Sequence, residues 1–120
     1  LTATATIAAF GDCQQYDCSR QFSCALGLTP REHSSGGKQV LLGISKRGNG
    51  CIRRLLIQGA RIVTRYALLR PDSQLPSQIW VQNISARRGR HIAAVALANK
   101  TARAIWVLLA RGEEYRCALP

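Results

Sequence analysis

Residues 51–70, CIRRLLIQGARIVTRYALLR, contain no proline and lie between a capping residue, Asn49, and a stop, Pro71. Asn49 offers a side-chain oxygen to a first helical turn, and a proline cannot continue the last one. Ile52, Leu55, Leu56, Gly59, Val63, Tyr66 and Ala67 recur at one-, three- and four-residue steps, the pattern of one helical face. A helix of that length is about 30 Å long, the width of a small domain. The remaining residues therefore have to be organised around it.

The other segments read the same way. LTATATIAAF, at the start, is the small, apolar tail of a helix, and GDCQQYD is a turn. SRQFSCALG is a short helix capped by Ser19 or Asp17; Gly27 suits its left-handed end and Pro30 opposes continuation. Residues 73–89 form a further helix that stops at Gly89, and residues 89–112 the last and longest. His91, Val95, Ala98, Ala102, Ile105 and Leu109 trace a heptad-like seam on it. His91 on that seam reads as a buried or half-buried structural residue rather than a ligand. No segment alternates as a strand does, and there is no internal repeat. The expected fold is all-α: one compact helical domain with a long basic Ser/Gly loop, about Gly27 to Gly50, between the second and third helices. The longest unbroken apolar run, AIWVLLA, falls short of the ~20 residues of a membrane span, so no membrane association is expected.

Charge narrows the function. The chain has 17 Lys+Arg against 6 Asp+Glu, a formal net charge of +11. All the cations except Lys38, Lys46 and Lys100 are arginine, whose planar fork pairs with phosphate oxygens. The excess is concentrated in residues 31–70, where nine cations face Glu32 alone. That is the footprint of a polyanion site. Arg54, Gln58, Arg61 and Arg65, at 4,3,4 spacing, form a stripe that either follows a nucleic-acid backbone or is a solvated helix face. Cys13, Cys18, Cys24, Cys51 and Cys117 contain no C-x-x-C pair, which fits reduced thiols in a cytosolic protein better than a disulfide framework. Cys13, Cys18, Cys24 and His33 match no usual zinc spacing, and no carboxylate pair is placed to bind a metal.

The segment GLTPREHSSGGK carries the one arrangement with catalytic potential. Two glycines follow Ser34 and Ser35, and Arg31, Lys38, Lys46 and Arg47 surround them in sequence. Such a backbone brings N–H groups and a serine oxygen against a phosphate without side-chain collision. The cations then stabilise the negative charge that grows during attack at phosphorus. A serine nucleophile keeps the phosphoester bond, so strands can be exchanged without ATP. The same composition also suits a flexible surface loop. GGKQV is not a P-loop, which needs G-x-x-x-x-G-K-[ST] after a strand.

RQFSCALGLTPREHSSGGKQVLLGISKRGN, followed by RRLLIQGAR and RRGRHIAAVALANKTARAIWVLLARGEEYR, resembles the C-terminal domain of insertion-sequence transposases. The group is the Piv-invertase-related, insertion-sequence one-hundred-ten family, and the resemblance covers nearly the whole chain. It implies a bacterial, cytoplasmic enzyme of DNA transposition and recombination. In such enzymes an N-terminal RuvC-like domain with acidic metal ligands for Mg²⁺ works with a helical domain that bears a nucleophilic serine. By position that serine is Ser35, with Ser34 a dispensable neighbour. Arg31, Lys38, Lys46 and Arg47 hold the scissile phosphate or nearby backbone, and Arg54, Arg61 and Arg65 bind nucleic acid. The implied partners are DNA, a guide RNA, and further copies of the chain in a multimer.

Residues 1–120 then read as a fragment: the RuvC-like domain is missing, and the N-terminus is the remnant of a helix-hairpin-helix. The absence of methionine and the start at Leu1 fit a piece of something longer. Cysteines stand where relatives carry small, polar or aromatic residues, as in a decaying copy. Such a fragment is expected to bind nucleic acid weakly and salt-dependently, and to be inactive in recombination alone. The alternatives are a non-catalytic, basic helical nucleic-acid-binding module and a decayed remnant.

Overall fold

The described residues form five helices and one hairpin: α1 Thr2–Phe10, α2 Ser19–Ala25, β1 Pro30–Ser35, β2 Lys38–Ile44, α3 Gly50–Leu69, α4 Pro76–Arg88 and α5 Arg90–Arg111. The structure is a computed structural model that describes residues 1–35 and 37–115, with only the backbone described at 30–35 and 38–42. Helices dominate, as the all-α reading requires. The segment expected to be a loop instead contains an antiparallel hairpin. Ser35 is opposite Lys38, Ser34 opposite Gln39 and His33 opposite Val40, with a register irregularity between Pro30 and Glu32. PREHSS has no apolar alternation, so periodicity alone missed it. The signal was the two-residue Gly-Gly connection, a recognised hairpin link.

Helix α5 runs through the middle of the fold and packs against α2, α3 and α4, while α1 lies against α3. Its core-facing residues are Ala94, Ala98, Ala102 and Trp106, at four-residue steps. Helix α3 meets them with Ile52, Leu56, Ala60 and Thr64 at the same step, then Ala67. Ridges at four-residue spacing interdigitate, and small residues there let the two backbones approach closely. The buried face of α3 is thus rotated from the one that spacing alone suggested. Val63 and Tyr66 are 47% and 57% exposed, because Ala60, Thr64 and Ala67 occupy the contact line. His91, expected on the buried seam, is exposed as well: the seam starts one turn later, at Ala94. By length and composition alone α5 is apolar enough to cross a membrane, which the search for an unbroken apolar run passed over. Here it serves as the central packing helix.

The N-terminal helices close the other side. Phe10, Tyr16 and Phe22 meet edge to face, with centroids 5.2–6.0 Å apart. This cluster joins Cys13, Leu26 and Leu28 to Ile52 and Trp106 in one core. Burial, with Asp12 beside it, pushes the Cys13 thiol up from its ordinary value, so this cysteine is a packing residue and a poor nucleophile. The N-cap of α2 is Cys18, without a side-chain cap bond, rather than Ser19 or Asp17. Asp17 instead donates its N–H to Gln21 Oε1 at 2.9 Å. The Ser23 hydroxyl donates to Asn99 Oδ1, joining α2 to α5. At the far end of α3, Gln82 Nε2 donates to the Ala67 and Arg70 carbonyls at 2.7 and 2.9 Å.

The hairpin is fixed to this body at its base. Helix α2 ends with carbonyls that have no partner within the helix. Leu28 N–H reaches Ser23 O at 3.2 Å and Gly27 N–H reaches Cys24 O at 3.0 Å. Across the hairpin, Asn49 N–H donates to Ala25 O at 3.3 Å, and Arg53 Nη1 donates to Leu26 O at 3.2 Å and Arg47 O at 3.4 Å. Lys46 N–H to Gly27 O at 3.1 Å and Ser45 N–H to Thr29 O at 3.0 Å complete the clamp. Asn49 also accepts from Ile52 N–H at 3.1 Å, capping α3 as predicted.

Two glycines make this approach possible. A Cβ at Gly48, where φ is 89°, would lie 1.8 Å from Ala25 O, and one at Gly27 would lie 2.3 Å from Arg47 O. Gly48→Ala should therefore destabilise the fold by more than about 2 kcal/mol in urea unfolding. Gly59→Ala, in open space on α3, should stabilise it by roughly 0.5–1 kcal/mol. Equal effects at the two sites would contradict the clamp. Arg53→Met keeps the stem and removes the donors. It should cost about 1–2 kcal/mol and speed amide exchange at Ser45, Lys46 and Asn49, with Val81 and Ala98 unaffected.

Candidate functional site

The clamp determines where Ser35 lies. Strands β1 and β2 leave the body between Thr29 and Ser45, and Ser35 is the last residue of β1, paired with Lys38 across the two-residue connection. Gly37 has φ 82°, and Ser35 is thus at the tip of the ribbon. Arg31 is on β1, within the register irregularity between Pro30 and Glu32, and Lys38 opens β2. The side chains of Arg31, Ser34, Ser35 and Lys38 lie outside the described residues.

Lys46 and Arg47 are at the base, in the connection from β2 to α3, and both are exposed. Lys46 has φ 58°, an uncommon conformation for a lysine. Its N–H bond to Gly27 O holds it there and leaves the ammonium outside. The basic residues named from sequence therefore divide into groups: Arg31 and Lys38 on the strands, Lys46 and Arg47 at the base, and Arg54, Arg61 and Arg65 on α3.

The α3 residues lie outside the buried line that meets α5, and Arg54, Gln58, Arg61 and Arg65 are all exposed. Arg54 bends back to its own helix, Nε donating to Gly50 O at 3.3 Å. Arg53, one position away, turns inward to the clamp. Two adjacent arginines thus have different tasks, one structural and one solvent-facing, and only the packing distinguishes them.

Sequence reasoning missed a cleft of about 470 Å³ between α3 and the start of α5. Arg61, Thr64, Arg65, Leu68, Leu69, Arg90, His91 and Ala94 line it. The missed signal was the RRGRH run, where Gly89, at φ 96°, ends α4 and starts α5. A second, more open hollow lies by Glu113, Glu114 and Tyr115 beyond α5. Among the described residues, no three His, Cys, Asp or Glu side chains converge as a metal site would require. Cys18, Cys24 and Cys51 are free, exposed thiols.

Residues 1–74 match the family described as transposase IS116/IS110/IS902 family. The chain is 51% identical over 117 residues to the transposase for insertion sequence element IS1111A of Coxiella burnetii, covering 98% of this chain and 31% of that protein. It is 47% identical over 116 residues to a probable family 20 transposase of Pseudomonas aeruginosa, covering 97% and 33%. With the transposase for insertion sequence element IS1328 of Yersinia enterocolitica the identity is 41% over 112 residues, covering 93% and 33%. This chain therefore spans about a third of the length of the curated relatives it matches. No solved structure matches it. The match of the family to residues 1–74 takes in α1, α2, the clamp, the whole hairpin and α3, so the chain belongs to the IS116/IS110/IS902 family of transposases.

Proposed function

We propose that this chain is the helical, strand-cleaving part of a bacterial DNA transposase, related to the Piv-type invertases, and that Ser35 is its nucleophile. The observation that carries the proposal is the hairpin. The Ser35 backbone is at the tip of a ribbon whose base is clamped by five hydrogen bonds donated from residues 45–53. A nucleophile at such a tip can reach a strand lying outside the body, while the clamp fixes its direction.

In the proposed reaction Ser35 Oγ attacks a backbone phosphorus. One P–O bond forms, the bond to one strand end breaks, and that end leaves as a hydroxyl. A base elsewhere in the whole enzyme takes the serine proton, and a second attack by a DNA hydroxyl reverses the linkage. Lys38, paired with Ser35 at the tip, neutralises charge at the attacked phosphate. Arg31 farther down the strand, and Lys46 and Arg47 at the base, about 20 Å from the tip, hold backbone farther along. Ser34, one residue away on the strand and paired with Gln39, is the dispensable neighbour in this reading. The Mg²⁺ expected in these enzymes finds no suitable donor set among the described residues. No step on this chain is routed through it, and the ion is assigned to the RuvC-like part of the longer protein.

Arg54, Arg61 and Arg65 form the nucleic-acid-binding face of α3 in this proposal, for DNA or for a guide RNA. A multimer in which one copy's serine meets another's acidic domain fits an enzyme whose metal-binding and nucleophilic parts are separate. The place of action is the bacterial cytoplasm, with α5 inside the fold rather than in a membrane.

The decisive experiment uses the full-length transposase and a DNA substrate trapped after cleavage. Ser35→Ala should abolish the covalent protein–DNA adduct on a denaturing gel, whereas Ser34→Ala should retain most of it. An adduct that survives Ser35→Ala sinks the assignment. Changing Arg54, Arg61 and Arg65 together to Gln should weaken DNA binding by at least about tenfold at 0.15 M salt. If DNA binding is lost while Ser35→Ala leaves every activity intact, the non-catalytic module is the better reading.

A further inference from the structure

We infer that the cleft between α3 and the N-terminus of α5 is a second nucleic-acid site, which takes a backbone phosphodiester between Arg61, Arg65 and Arg90. It deepens the nucleic-acid reading above and rests on it, but it uses a different part of the molecule from the Ser35 hairpin. Arg90, His91 and Thr64 are the residues it adds.

Four observations converge on this cleft. Arg61, Arg65 and Arg90 line it together with His91, and no carboxylate is among its lining residues. Helix α5 starts there with no side-chain cap and no acidic residue in its first turn. Its leading N–H groups thus keep the partial positive charge of a helix N-terminus, uncompensated from within. Thr64, on the α3 wall, is only 3% exposed, and its hydroxyl has no hydrogen-bond partner among the described residues. Buried hydroxyls are nearly always paired, so an unpaired one beside three arginines marks a place for an acceptor. A phosphate oxygen is that acceptor: the hydroxyl donates one bond, and guanidiniums and helix N–H groups supply the rest.

The remaining lining favours a strand over a free anion. Leu68 extends the cleft with apolar surface next to the cations, which suits the sugar and base beside a phosphate. Arg61 and Arg65 are also the last members of the exposed Arg54–Gln58–Arg61–Arg65 stripe. At 1.5 Å rise per residue that stripe runs about 16 Å along α3 and ends in the cleft. A strand following the stripe would place its next phosphate among Arg65, Arg90 and Thr64.

The test is a fluorescence-anisotropy titration of the 120-residue chain with labelled single-stranded DNA and with RNA of the same sequence, over a series of KCl concentrations. Arg90→Gln should weaken binding several-fold and reduce the slope of log K against log salt by about 1. Thr64→Val, which removes the hydroxyl and keeps the shape, should also weaken binding while its melting temperature does not fall. Arg20→Gln on α2, a loss of the same charge elsewhere on the surface, should change affinity by less than about twofold at 0.15 M salt. Equal losses from Arg90→Gln and Arg20→Gln overturn the cleft and leave general nucleic-acid binding standing. A parent chain that binds neither oligonucleotide overturns both. Inorganic phosphate is the remaining arm: if millimolar phosphate raises the melting temperature of the parent but not of Arg90→Gln, while oligonucleotide binding is the same in both, the pocket is one for a free anion and the strand proposal fails.

Discussion

The carbonyl groups at the C-terminal end of α2 are the constraint on which the rest of the structure depends. A seven-residue helix cannot hold its own last carbonyls, and here they lie against the protein instead of in open water. Donors from the N-cap and first turn of α3 meet them: Asn49 N–H at Ala25 O and the Arg53 guanidinium at Leu26 O. The two chain segments that bracket the hairpin are thereby held together at backbone distance. Neither side works without the other, because Gly27 and Gly48 each leave room that a Cβ would fill. The blocks GLTP and GISKRGN, separate in sequence, are two halves of one joint.

The second constraint is the four-residue ridge between α3 and α5. Alanines on both sides, with Thr64 among them, bring the helices close and fix the rotation of α3 about its axis. With that rotation fixed, Arg54, Arg61 and Arg65 have to face outward, and Arg53 has to point to the clamp. The same packing buries Thr64 with no partner for its hydroxyl among the described residues and brings the start of α5 beside Arg61 and Arg65. A shift of one residue in the α3 face, toward Val63 and Tyr66, would bury those large side chains and turn the arginine stripe toward α4 or α1. Surface charge here follows from which small residues fit the core.

Much of this was legible in the sequence, and the failures have physical causes. Asn49 and Pro71 bounded α3 well because a cap and a stop are local chemistry. Gly89 and Gly112 likewise marked the ends of α4 and α5. The hairpin escaped because a two-stranded ribbon is specified by its connection and its clamped ends, not by a repeating apolar pattern in PREHSS. The wrong α3 face and the misplaced His91 share a cause. Spacing gives a stripe of apolar residues, but the partner helix chooses which part of it is buried, and alanine-rich α5 chose the small residues. Cys18, rather than Ser19 or Asp17, is the α2 cap, and the side-chain contact at this end is Gln21 Oε1 accepting from Asp17 N–H. The cleft was invisible for a related reason: Thr64 and Arg90 are far apart in sequence, and nothing about a threonine in a helix says that its hydroxyl will be buried unpaired.

Rigid base and projecting tip together suit a protein that must act on a polymer larger than itself. A serine in a deep pocket would need the strand to enter, at the cost of unstacking and bending it. A serine position at the end of a ribbon lets the strand remain outside, provided the ribbon's direction is fixed. The clamp supplies that direction through three backbone N–H donors and the Arg53 guanidinium, which leaves the side chains of Lys46 and Arg47 exposed. The arginine stripe lies on the same helix that the clamp caps at its start, since Asn49 serves both. The orientation of the α3 arginine face and the hairpin direction are then coupled through one residue. Any motion that loosened Asn49 would move the tip relative to α3, and that coupling is a physical reason for the joint to be built from backbone donors, close-packed glycines and one arginine held at two carbonyls.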